Sequence, residues 1–192
     1  MLQWFALISY ALICIFTPGP NNIMALAMGH QVGWRRTLPF SSGVFVGFLL
    51  VLWAGCAANL VLAAVLPRLT LVMQVIGAAY MLFLAWKMVR AADQAEKEEG
   101  STGVPFAAAV ALQFANPKGV LFALTATGSY LIPLAGSAAW AVCVPLSALC
   151  LGSTLCWAFF GDVLRRFLHR HRRPFYWAMA ILLALCAVSL FL

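Results

Sequence analysis

Long apolar runs, each about the length of a bilayer-crossing helix, dominate the chain, with short polar breaks between them. A helix that spans the hydrocarbon core needs about 20 mostly apolar residues. Six runs meet that length: Leu2–Met28, Pro39–Leu66, Leu69–Val89, Val104–Leu131, Ala138–Asp162 and Phe175–Leu192. They predict an all-α polytopic membrane protein, with six transmembrane helices filling a single membrane domain over 1–192. Only one connection is long and polar, Arg90–Gly103 (RAADQAEKEEGSTG). It divides the chain into a three-helix half over 1–90, a polar loop over 91–103 and a second three-helix half over 104–192. An odd number of crossings turns the second half upside down, so the layout predicts two inverted repeats, a recurring transporter architecture. The first run has no basic segment ahead of it and is longer than the apolar part of a secretion signal, so it is read as a retained helix.

Two runs are interrupted at corresponding places. The first reads Phe16-Thr17-Pro18-Gly19-Pro20-Asn21-Asn22, and the fourth reads Gln113-Phe114-Ala115-Asn116-Pro117-Lys118-Gly119. Proline removes a backbone donor and clashes with the preceding turn, so neither stretch continues a helix. Irregular backbone at membrane depth is tolerated only where protein buries it or where it lines a wet cavity. Each break also creates fresh helix ends. The half-helix beginning near Asn21 offers free N–H groups and a positive dipole end, which suit a carboxylate. Carbonyls near Thr17 and Gln113 suit an ammonium. Two breaks, one per half, point to a substrate site at mid-membrane for a zwitterion such as an amino acid. The plain alternative is a pair of proline kinks that only shape packing.

Composition narrows the class. Of the 192 residues, 65% are apolar and 9% charged, against about 45–50% and about 25% in soluble domains. A soluble enzyme or a nucleic-acid-binding module is excluded as the default reading. The net charge of +7 is explained by placement. Ten of the twelve basic residues lie at or after the ends of the first, third and fifth runs: Arg35 and Arg36; Lys87, Arg90 and Lys97; Arg165, Arg166, Arg170, Arg172 and Arg173. The positive-inside rule then places both termini outside the cytoplasm. Helices starting on the basic side carry Pro39, Pro105 and Pro174 in their first turns, where proline is tolerated, with Thr37 and Thr102 as expected caps.

Lys118 is the basic residue deep inside a run, at an insertion cost of about 2.5–3.5 kcal/mol, and no carboxylate lies in the interior of any run to pair with it. It is expected to face a cavity or a substrate carboxylate. Asn59 and Gln74 read as interhelical hydrogen-bonding amides. Asp162, ending the fifth run near Arg165 and Arg166, reads as an interfacial ion pair or a proton relay. His30 reads as a solvated loop residue, and His169 and His171 as part of a basic segment facing lipid headgroups. Gly43 and Gly47 form a GxxxG stripe, which signals close packing and makes a homodimer conceivable. The cysteines, with no C-x-x-C and no metal-ligand spacing, read as packing residues. No metal or cofactor is expected.

Three segments resemble a known family. FTPGPNNIMAL at Phe16–Leu26, IGAAYMLFLAWKM at Ile76–Met88 and ALQFANPKGVLF at Ala111–Phe122 are similar to motifs of the LysE/RhtB family of amino-acid exporters, and most like its cysteine/O-acetylserine branch. The resemblance implies a bacterial inner-membrane efflux carrier driven by the proton-motive force, with amino acids or derivatives as cargo, including threonine/homoserine-like ones. It carries substrate contact onto Thr17, Pro18, Gly19, Pro20, Asn21 and Asn22, and onto Gln113, Asn116, Pro117 and Lys118. A metal-cation exporter on a related six-helix plan, an intramembrane thiol-disulfide carrier and a purely structural subunit are the alternatives.

Overall fold

A computed structural model describes residues 2–59, 104–164 and 172–188, together with positions 75, 78, 79, 82, 83, 85, 86, 89 and 90. Among the described residues the fold is entirely helical. Helix α1 (Leu2–Phe16) ends at the first interruption, and α2 (Pro20–Val32) leaves it at 46° to α1. A tight turn over Arg35–Thr37 leads into α3 (Leu38–Asn59). Helix α4 (Phe106–Phe114) stops at the second interruption, and α5 (Pro117–Thr125) widens over Ala126–Leu131 before α6 (Ile132–Ala135). Gly136, at φ +52°, makes the turn into α7 (Ala139–Val163), and α8 (Arg172–Val188) follows. The described positions between 75 and 90 are helical. Gln74, the 91–103 loop, Thr102, His169 and His171 lie outside the described residues.

The helices are apolar on the outside as well as in the core, unlike those of a soluble domain, and a few polar side chains are buried among them. Segments Arg35–Ala58 and Pro117–Val163 are each long and apolar enough to cross a bilayer, and the bent pair α1–α2 passes as one further span. Leu2, Phe5, Ile8 and Ile13 of α1, and Ile181 and Leu185 of α8, project outward, as side chains that contact hydrocarbon should. Inside lie Asn22, Gln113, Asn116, Ser147, Ser153 and Thr154. This arrangement is that of a membrane protein.

Helix α2 is the axis of the molecule. Every residue from Asn22 to His30 is buried, as expected of a helix enclosed on all sides. Its closest neighbour is α7, and glycines set that approach. A Cβ at Gly29 would run into the backbone of Ala158, and one at Gly161 into the carbonyl of Leu26. Small residues let membrane helices touch backbone to backbone. The same device joins α3 to α4. A Cβ at Gly43 or Gly47 would strike Phe106 or Val110, and Gly47 also makes room for the Gln113 side chain, at 2.6 Å. The GxxxG stripe is thus filled within the chain, which removes it as the reason for a homodimer.

Two smaller expectations change. Thr37 does not cap α3; its hydroxyl donates back to the Gly33 carbonyl at 3.0 Å. The cause is the turn over Arg35–Thr37, which places Thr37 one turn after Gly33. His30 is not a solvated loop residue. Helix α2 runs on to Val32, so His30 is buried, 5% exposed, against the rings of Phe175 and Tyr176.

Candidate functional site

The site is built from the two interruptions. The last carbonyls of a helix have no partner within it, and unpaired carbonyls at membrane depth cost several kcal/mol each. Here each carbonyl from Ile13 to Pro18 receives a donor. The Thr17 N–H reaches Ile13 at 3.1 Å, and the Thr17 hydroxyl reaches Cys14 at 3.1 Å. Asn22 Nδ2 donates to Ile15 at 2.8 Å and to Thr17 at 3.0 Å. Ser153 Oγ of α7 reaches Ile15 at 3.0 Å, and Trp157 Nε1 reaches Phe16 at 3.2 Å.

Lys118 completes the set. Its Nζ donates to Thr17 O at 3.1 Å, to Thr17 Oγ1 at 2.8 Å and to Pro18 O at 3.4 Å. The ammonium therefore sits on the negative end of α1, where a cation gains up to about 2 kcal/mol in partly buried geometry. That offsets much of the insertion cost. Gly19, in extended backbone, lets the lysine stem pass; a Cβ there would lie 3.0 Å from Lys118 Cδ.

The two interruptions end differently. Helix α5 is closed by its own N-cap, since Asn116 Oδ1 accepts from the Gly119 N–H at 3.4 Å. Helix α2 starts after Gly19 with Pro20 in its first turn and no side-chain cap. Asn21 and Gln113 join the two halves of the site through a reciprocal amide pair, Nδ2 to Oε1 at 2.7 Å and Nε2 to Oδ1 at 3.2 Å. Gln113 Nε2 also donates to Ala109 O at 3.1 Å.

A cavity of about 40 Å³ lies between the breaks, room for a few ordered waters. Asn21, Asn22, Asn116 and Lys118 bring polar groups to its lining, beside Gly19, Pro20 and Gly119. The rest is apolar and soft: Cys14, Ile15, Phe48, Phe122 and Cys150. The structure thus brings six of the ten expected contact residues to one void. Gln113 and Pro117 are buried just behind it, whereas Thr17 and Pro18 are exposed and reach it through Lys118.

Several contributors escaped the sequence reading. Ser153 and Trp157 carry no motif, and their role follows only from how α7 crosses the end of α1. Cys14 and Cys150 read as packing residues, yet both line the cavity. Asp162 is placed elsewhere: its carboxylate accepts from the Trp34 N–H at 3.2 Å, at the far end of α2 and roughly 15 Å from the break by helical rise. Arg165 and Arg166 lie outside the described residues, as does the side chain of Asn59. Among the described residues no three metal-ligating side chains converge.

Apolar outer surfaces, and two interrupted helices meeting at a cavity inside, are features of a helical membrane protein. The chain belongs to the LysE type translocator family, whose model matches residues 12–192. It is 36% identical over 193 residues to a cysteine/O-acetylserine efflux protein of Klebsiella pneumoniae subsp. pneumoniae, covering 96% of this chain and 95% of that one. It is 34% identical over 187 residues to the protein of that name in Escherichia coli (strain K12), covering 95% and 94%. No solved structure matches the chain.

Proposed function

We propose that this translocator exports small neutral amino acids or close derivatives, cysteine and O-acetylserine foremost, by alternating access and without enzymatic chemistry. In this reading six spans form two inverted three-helix halves in the bacterial inner membrane, with both termini periplasmic and the proton-motive force as driver. The names of the full-length relatives support the cargo class, and the positions of the basic residues support the orientation. The family's threonine/homoserine-like cargo is the neighbouring specificity. A homodimer would use an apolar outer face other than the GxxxG stripe, which α4 covers.

The observation that carries this reading is the Lys118 ammonium on the end of α1, beside the uncapped start of α2. The carbonyls near Thr17 form a receptor for an ammonium, and in the structure the protein's own lysine occupies it. An entering zwitterion brings a carboxylate to the α2 N-terminus, where backbone donors and dipole favour it, and Lys118 turns to that carboxylate. The substrate ammonium then takes the place Lys118 leaves at Thr17. This exchange widens a cavity otherwise fit only for water, and it releases a tether between the two halves. The soft wall of Cys14, Phe48, Phe122 and Cys150 receives the side chain, which sets a preference for small, polarizable groups. Gln113 holds Asn21 in place. Asp162, at the cytoplasmic end of α2, is assigned to proton handling away from the substrate.

Counterflow in proteoliposomes with radiolabelled cysteine, O-acetylserine, threonine and lysine tests the reading. Exchange of the first two well above lysine is expected; no exchange of any of the four contradicts it.

A further inference from the structure

Helices α3 and α7 meet near one end of the bundle through two contacts. Trp53 Nε1 donates to the Trp140 carbonyl at 3.1 Å, with the two rings 6.4 Å apart. One turn away, Cys56 and Cys143 place their sulfurs 3.8 Å apart, both buried. Cys143 Sγ donates to the Ala139 carbonyl at 3.3 Å. The sequence contains no C-x-x-C, so this pair exists only through the fold, across 87 residues of chain. Cys56 stands three residues before the end of α3, and Cys143 four residues into α7.

We infer that Cys56 and Cys143 form a redox-modifiable dithiol, oxidised by small disulfides of the amino-acid type, whose cross-link holds α3 against α7 and arrests the carrier. A disulfide needs a sulfur separation of about 2.05 Å, so closing the pair takes an approach of under 2 Å, within reach of side-chain rotation. In the orientation proposed above, this end of α3 and α7 faces the periplasm, where disulfides persist. The chemistry is thiol-disulfide exchange. When this end of the bundle opens in the transport cycle, Cys56 meets solvent, loses its proton and attacks one sulfur of a small disulfide R–S–S–R, expelling R–S⁻, which takes up the proton. Cys143 then attacks the Cys56 sulfur of the mixed disulfide and expels the second R–S⁻, which takes up the Cys143 proton. The two protein thiols lose two electrons, and the small disulfide becomes two thiols. For a carrier of a thiol amino acid, the oxidised external form of the cargo thereby reports on the compartment that receives it. The closeness of the two thiols stands on geometry, whereas their access to the oxidant and the effect on transport rest on the proposed orientation and alternating access.

The experiment uses the purified full chain in proteoliposomes treated with 2-hydroxyethyl disulfide. Peptide mapping without reduction is expected to show Cys56 linked to Cys143. Counterflow is expected to be lost and to return with dithiothreitol. Cys56→Ser and Cys143→Ser each keep untreated counterflow and become insensitive to the reagent. Free Cys56 and Cys143 after treatment, a linked pair with counterflow intact, or inhibition that persists in both serine variants would each overturn the inference. Absence of counterflow before treatment would instead count against the transport reading.

Discussion

The two interruptions look alike in sequence and behave differently in the fold. The second is self-contained, because Asn116 closes the start of α5 with its own side chain. The first depends on the rest of the molecule. Its carbonyls are held by Asn22, Ser153, Trp157 and Lys118, and the start of α2 has no side-chain cap. One break is therefore a donor, lending Lys118, and the other is a receptor. The difference teaches that the two breaks are built unequally despite their similar motifs, since only the start of α2 is left without a side-chain cap.

Substitutions at each break sharpen that contrast. The largest effect is expected at Lys118. Lys118→Gln removes a charge-assisted bond worth about 1.5–3 kcal/mol, so counterflow should fall by about 10–150-fold, with Lys118→Arg recovering part of it. A variant with wild-type exchange would show that the receptor does not use the lysine. Gly29→Val comes next and tests α2 as the axis. Its side chain would enter the Ala158 backbone, and overpacking costs about 1–3 kcal/mol or more, read as a lower melting temperature in detergent.

Gln113→Ala leaves Asn21 without its amide partner, at a cost of about 1–3 kcal/mol. The expected signature is a raised KM with a smaller change in maximal rate, since Asn21 loses its support while Lys118 stays. Asn116→Ala removes the cap of α5, about 1 kcal/mol, together with one polar group of the cavity wall, so a modest loss of stability and a smaller loss of exchange than in Lys118→Gln are expected. If Asn116→Ala abolished exchange as fully as Lys118→Gln, the two breaks would be functionally equal. Asp162→Asn is expected to have the least effect on exchange, because the amide keeps an oxygen for the Trp34 N–H. It should instead weaken uptake driven by an imposed pH gradient, and full pH-driven uptake would remove Asp162 from proton handling.

How far the sequence alone leads can be seen at particular residues. Both breaks were legible, because Pro18, Pro20 and Pro117 forbid helix regardless of context. Lys118 was legible as an anomaly, because a charge in an apolar run needs a partner. Its actual partner was not, since Thr17 and Pro18 lie about a hundred residues away and offer only backbone oxygen and a hydroxyl. Gly43 and Gly47 announced close packing, but not against which helix. His30 was misjudged because Gly33 and the basic pair Arg35 and Arg36 imply a loop, whereas α8 folds over that end of α2 and buries it. The Cys56–Cys143 contact left no local trace at all.

The most direct test of the account is where the substrate sits. N-ethylmaleimide labelling of the purified protein can be followed at Cys14 and Cys150, which line the cavity, and at Cys156, which is exposed outside it. The probe ligand is the non-thiol amino acid that exchanges fastest in counterflow. The account predicts that this amino acid slows labelling of Cys14 and Cys150 while Cys156 reacts as before; equal rates at all three cysteines with and without it would contradict a site between the two interrupted helices.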